Sequence, residues 1–159
     1  MFVHGVGKIS DIFLGRGVQE SDKTTNNGEG MAKTLEAMDG LDRGLIFVNL
    51  VDFDQQYGHR NDIAGYGAAL EACDAWLPQL MGAMRPDDAA ILTADHGCDP
   101  TTPGTDHTRE YAPLLVAGPK VRRGVDLGLR SSLSDIGQTV AAVFGVNISH
   151  GVSFLPQIL

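Results

Sequence analysis

The chain has 159 residues, enough for one domain with a real core, and its 43% apolar and 20% charged content is that of an ordinary folded protein. A net charge of −8 argues against nucleic acid or an anionic membrane surface as partner, but not against a phosphorylated ligand whose charge is met by bound cations. Cys73 and Cys98 are too few for a disulfide framework, no apolar run reaches the length of a membrane span, and no signal-peptide layout opens the chain, so a cytoplasmic location is expected.

Residues 2–6 form a first apolar run, followed at once by Gly5-Val6-Gly7-Lys8, with no helix or cap before it. So abrupt an opening suggests a truncated, excised or split polypeptide; a naturally small protein whose first strand sits at a sheet edge is the alternative. A short helix is expected over 29–38, after the turn-rich Thr25-Asn26-Asn27-Gly28. The strongest strand is 45–51, LIFVNLV, an almost unbroken apolar run of the kind covered on both faces in a mostly parallel sheet. Residues 61–84 make the best helix: Asn61 can cap it, and Ile63, Tyr66, Leu70, Cys73, Leu77, Leu80 and Met84 recur at steps of three and four. Pro78 lies inside that pattern and predicts a kink or break near Ala75. Strands at 89–93 and 113–117 and a helix over 132–144 complete the set. Helices alternating with buried strands predict a three-layer α/β/α sandwich with a mostly parallel sheet, in one domain.

Two polar loops follow buried strands. The first is Asp52-Phe53-Asp54-Gln55-Gln56-Tyr57-Gly58-His59-Arg60; the second runs from Asp95-His96-Gly97-Cys98-Asp99 to Asp106-His107. In open α/β sheets ligands bind outside the carboxyl ends of the strands, where these loops belong. Carboxylate oxygen with neutral imidazole nitrogen suits divalent cations such as manganese, zinc or iron. Asp54 and His59 are spaced to wrap one ion, although Asp52 serves as well on sequence alone. Asp95 and His96 are adjacent and can face one ion only where the strand stops and the chain turns, which Gly97 permits. The stretch with Pro100, Pro103 and Gly104 makes a stiff lasso able to return His107. Cys98 reads as a small buried hydrophobe rather than a ligand.

The run Gly44-Leu45-Ile46-Phe47-Val48-Asn49-Leu50-Val51-Asp52-Phe53-Asp54, closing with Tyr57-Gly58-His59-Arg60, resembles phosphopentomutase. So does Thr93-Ala94-Asp95-His96-Gly97-Cys98-Asp99-Pro100-Thr101-Thr102-Pro103-Gly104-Thr105-Asp106-His107-Thr108-Arg109-Glu110-Tyr111, together with Gly7-Lys8-Ile9-Ser10-Asp11-Ile12-Phe13 and His150-Gly151-Val152-Ser153-Phe154-Leu155. The similarity runs nearly end to end; a bare Asp-His-Gly would indicate only the wider alkaline phosphatase superfamily. It implies the C-terminal part of that catalytic core and interconversion of (deoxy)ribose 1-phosphate and (deoxy)ribose 5-phosphate. It also implies two divalent ions, usually manganese, with Asp54, His59 and His107 on one and Asp95 with His96 contributing to the other. The same resemblance implies a place near the substrate phosphate for Lys8, whose alternative is a solvated loop lysine. Arg109 is expected to support the lasso, with contact to a phosphate as the alternative, and Arg60, His4 and His150 are expected to be structural. The family also carries an N-terminal strand with a metal-binding aspartate, a nucleophilic threonine and a cap domain, to which no segment here corresponds. The resemblance therefore assigns no catalytic nucleophile to this chain and implies inactivity on its own. A complementing N-terminal segment, or self-association through an uncovered sheet edge and apolar face, is the expected partnership. Another superfamily enzyme, such as a phosphoglycerate mutase or phosphatase, and a non-catalytic metal-binding fragment of a split enzyme are the rival readings.

Overall fold

The computed structural model describes all 159 residues, which divide into two compact units: Met1–Ala83 with His96–Ala112, and Met84–Asp95 with Pro113–Leu159. The first unit is built on a three-stranded parallel sheet in the order β2-β1-β3, with β1 at Val3–Val6, β2 at Glu20–Asp22 and β3 at Leu45–Val48. Val6 pairs with Val48 on one side and with Asp22 on the other. Parallel pairing sends the chain out of β1 and β3 at the same sheet edge. There β1 leads into Gly7-Lys8 and the short helix α1 (Ile9–Ile12), and β3 leads into the first polar loop. Gly7 has φ +84, and a Cβ there would meet the Asn49 carbonyl at 2.5 Å, so both the turn and the close approach of the neighbouring strand require glycine.

Helix α2 (Asn27–Gly40) packs against β1 and β3. It starts earlier than the apolar pattern suggests because Asn26 caps it, accepting the Glu29 N–H at 2.9 Å, while the Glu29 carboxylate reaches back to Thr25 N–H and hydroxyl. Val3, Val6, Ile9, Met31, Ala37, Val51 and Leu80 form this unit's core. The expected cover on both faces of β3 is not met, for Phe47 is 42% exposed. Side chains alternate along a strand, and the face carrying Phe47 is met by the Phe13 ring, centroids 6.1 Å apart, rather than by a full layer.

Helix α3 spans Ile63–Ala83 and continues unbroken through Pro78. Proline removes one helical hydrogen bond, to the carbonyl of Asp74. Asp74 and Pro78 are both exposed, so that carbonyl is open to hydration while Leu80 stays buried. Asp62, not Asn61, caps the helix, accepting the Gly65 N–H at 2.9 Å.

The second unit pairs β4 (Ala90–Thr93) antiparallel with β5 (Leu114–Ala117), the exception to the parallel pattern. Helices α4 (Ser134–Val143) and α5 (Leu155–Ile158) complete it, with Phe154, Ala141 and Ile158 buried. Its closing segment is fastened by Asp135, which accepts the Val152 N–H at 2.8 Å and the Arg130 Nε–H at 2.8 Å. Thr139 accepts the Phe154 N–H at 3.0 Å and donates to the Asp135 carbonyl. No helix is long and apolar enough to cross a membrane.

Candidate metal centre

The first loop leaves β3 as a π-helical turn, Phe53–Tyr57, followed by a tighter turn, Gly58–Arg60. Residues two apart on a helical turn point to roughly opposite sides, which separates the two aspartates. Asp52 turns inward and is buried. Its Oδ2 accepts the Asn27 N–H at 2.7 Å and its own N–H donates to Asn27 Oδ1 at 2.9 Å, so it ties the loop to the N-terminus of α2. Asp54 faces the other way, toward histidines. The choice that the sequence leaves open is made here by the geometry of the turn.

The second loop is closed at its neck by a bridge between Gly97 and Thr108, with the Thr108 N–H donating to the Gly97 carbonyl at 3.1 Å. Gly97 does not adopt a left-handed conformation. A Cβ there would lie 2.6 Å from the Thr108 carbonyl and 2.7 Å from the Glu110 nitrogen, so glycine is needed for close approach rather than for turning. Within the loop, the Asp99 carboxylate accepts the Thr101 hydroxyl at 2.7 Å, the Thr101 N–H at 2.8 Å and the Thr102 hydroxyl at 3.0 Å. These bonds, the Thr101 hydroxyl first, hold its carboxyl below the usual carboxylate range.

Folded this way, the loops bring four side chains together. Asp54 Oδ2 lies 3.3 Å from His59 Nε2, and Asp54 Oδ1 lies 3.3 Å from His107 Nε2 and 3.9 Å from His96 Nε2. The His96 and His107 rings stack with centroids 3.6 Å apart, and those of His59 and His107 are 5.0 Å apart. Asp95 closes the stretch that clusters with the second unit. Lys8 is exposed, at the N-terminal end of α1 and at the sheet edge from which the first loop emerges. Cys98 packs on Gly58, where a Cβ would come within 2.3 Å of its sulfur. Burial, then the Asp54 carboxylate, pushes the Cys98 thiol up and keeps it protonated.

The donor set fits a divalent cation. His59 Nδ1 donates to the Thr105 carbonyl, and His96 Nδ1 donates to the Gly97 carbonyl at 2.9 Å. With Nδ1 engaged as a donor, each ring in its neutral tautomer presents Nε2 to Asp54 as a lone pair, the form in which imidazole binds a cation. Asp54 Oδ1 is buried and accepts no hydrogen bond. Asp54 thus has an imidazole nitrogen 3.3 Å from each carboxylate oxygen, a mixed oxygen and nitrogen donor set that a cation between them would bridge. Two ligands each bound to one ion at tetrahedral angles lie about 3.4 Å apart, longer than an ordinary hydrogen bond. One ligand atom each from Asp54, His96 and His107 lies within 4.8 Å of the others.

Sequence reasoning singles out Asp54, His59, His96 and His107, which the fold brings together, but misses what holds them: Gly58, Asn61 and the Thr105 carbonyl act through contacts roughly forty residues away in the chain, which no local pattern reveals.

Among characterised proteins, the chain is 54% identical over 157 residues to the phosphopentomutase of Caldanaerobacter subterraneus subsp. tengcongensis, covering 98% of this chain and 40% of that protein. It is 55% identical over 159 residues to the phosphopentomutase of Syntrophotalea carbinolica, covering 100% of this chain and 41% of the relative. Against the phosphopentomutase of Kosmotoga olearia the identity is 54% over 158 residues, again 41% of the relative. The chain thus spans about 40% of the length of the curated relatives it matches. The model of the metalloenzyme superfamily matches residues 13–148, which include both loops and all four converging side chains. With that match covering most of its length, including Asp54, His96 and His107 grouped as a possible cation site, the chain belongs to the metalloenzyme superfamily.

Proposed function

We propose that this chain supplies cation-binding machinery for phosphopentomutase-type phosphoryl transfer, interconverting (deoxy)ribose 1-phosphate and (deoxy)ribose 5-phosphate. The observation that carries the reading is the buried Asp54 Oδ1, which has no hydrogen bond and faces imidazole nitrogens within a segment about 54% identical to phosphopentomutases. In this reading Asp54, His59 and His107 hold one manganese ion, and Asp95 with His96 contributes to a second. Bound divalent cations neutralise the phosphoryl oxygens and stabilise the attacking and leaving oxygens of in-line transfer.

The chain's own residues hold and orient. His59 and His96 keep their lone pairs aimed at the site through their Nδ1 bonds to carbonyls. Asp52 anchors the first loop on α2, so the Asp54 carboxylate does not swing away. Lys8 presents an ammonium at the same sheet edge, where it can donate to the phosphate oxygens of a pentose phosphate. None of Thr93, Thr101, Thr102 or Thr105 matches the family's phosphorylated threonine, so the 159-residue polypeptide alone has no nucleophile for the transfer. A cytoplasmic location belongs to this reading, in keeping with its two unpaired cysteines. So does association with a complementing segment or a second copy, supported by the exposed Ile63, Leu70 and Met81 of α3.

A chimera tests the function. The part of the Syntrophotalea carbinolica phosphopentomutase outside the match, joined to this chain, is expected to interconvert the two ribose phosphates, and H59A with H107A is expected to abolish that. The isolated chain is expected to show no turnover. A folded chimera that hydrolyses phosphate esters yet never converts one ribose phosphate into the other would overturn the proposal.

A further inference from the structure

The two ligand-bearing loops are far apart in the chain, and their register decides whether His59 and His107 can both face Asp54. Asn61 sits where the first loop ends. Its backbone is left-handed, φ +52, and its N–H donates to the Gly58 carbonyl at 3.1 Å, closing the turn that carries His59. Asparagine tolerates this conformation better than most residues. From there its side-chain amide reaches into the second loop, where Nδ2 donates to the Pro100 carbonyl at 3.2 Å and the Thr102 carbonyl at 3.1 Å. One NH2 group carries two hydrogens, one for each acceptor. Both acceptors lie between Cys98, packed on Gly58, and Thr105, whose carbonyl receives His59 Nδ1. The amide therefore grips the second loop midway between two other points of contact with the first.

We propose that Asn61 is a positioning residue for the cation cluster. By holding the Pro100 and Thr102 carbonyls it keeps the segment leading to His107 in register with His59, so that His59 stands at Asp54 Oδ2 while His107 stands at Oδ1. This inference rests on the cation-binding reading above. Asn61 touches neither substrate nor cation; it acts through the loop. Its chemistry separates it from a helix cap, because its amide donates to carbonyls of another segment while Asp62 caps α3.

The test measures the manganese dissociation constant by calorimetry alongside melting of the metal-free chain. In N61G the left-handed backbone is retained at no steric cost and only the amide is lost. It is expected to weaken manganese binding about tenfold, because the segment leading to His107 is no longer held in register, and to lower metal-free melting slightly through the two lost hydrogen bonds. An unchanged dissociation constant overturns the proposal. So does a lowered metal-free melting temperature with wild-type affinity, since that marks a purely structural role. D54A separates the two levels: if it binds manganese like wild type, the cation-site reading itself fails, whereas loss in D54A with wild-type binding in N61G removes Asn61 alone. Should N61G not fold, N61D keeps the backbone preference but cannot donate. With manganese present, protease is expected to cut its 99–105 segment faster than in wild type, and equal protection overturns the proposal.

Discussion

Replacing Gly58 by alanine probes how tightly the two loops must close. Gly58 has φ −60 and ψ −62, a conformation any residue adopts, so the substitution adds no backbone strain and acts through its methyl group alone. That methyl would lie 2.3 Å from Cys98 Sγ and 3.0 Å from the Phe53 carbonyl. Non-bonded contacts of this kind settle near 3.5–4 Å, so the loops have to part by roughly 1.5 Å unless Cys98 rotates into another crowded position. Metal–ligand distances tolerate only about 0.2 Å, and His107 travels on the same loop as Cys98. Overpacking of this size costs about 1–3 kcal/mol, equivalent to about 5- to 150-fold in affinity. Calorimetric titration with manganese on G58A, C98A and the double variant reads the effect. G58A is expected to bind at least about fivefold more weakly, and C98A, which removes the obstructing sulfur, is expected to restore most of the loss in the double variant. A G58A chain that titrates like wild type refutes the reasoning, as does a double variant no better than G58A.

Asp52 and Asp54 should separate in opposite directions. D52A leaves the Asn27 N–H without its acceptor in a buried setting and is expected to lower the stability of the metal-free chain by about 1–3 kcal/mol in denaturant melts, whereas D54A is expected to cost the metal-free chain nothing. Acid should loosen the second unit through Asp135. The Val152 N–H first, then the Arg130 guanidinium, hold that carboxyl below its ordinary value against the opposing effect of burial. A carboxyl depressed in the folded state stabilises fully above its unfolded value, near 4, and its contribution disappears as pH falls through the folded value. Melting followed by circular dichroism is therefore expected to show stability falling below about pH 4, with a shallower fall in D135N; identical profiles would count against it.

Much of this architecture can be read from the residues, and the exceptions have physical causes. The apolar run at β3 and the three-and-four spacing of α3 announce themselves because each buries a face along its own length. Strand β2, Glu-Ser-Asp, has no apolar signal; it exists through parallel pairing with β1, and its Asp22 and Glu20 bracket the His4 ring at 2.8 and 3.4 Å. Pro78 misleads because proline's cost depends on whether the orphaned carbonyl is buried, which sequence does not state. The candidate ligands stand out by type and by their place after strands. The arrangement does not, because Gly58, Asn61 and Gly97 work by the close approach of segments distant in the chain.

Anomalous diffraction from crystals of this chain soaked in manganese addresses the centre directly. The expected map shows a peak within about 2.2 Å of an Asp54 carboxylate oxygen and of Nε2 on both His59 and His107. A well-ordered cluster with no peak there, while manganese scatters elsewhere on the molecule, would contradict the account.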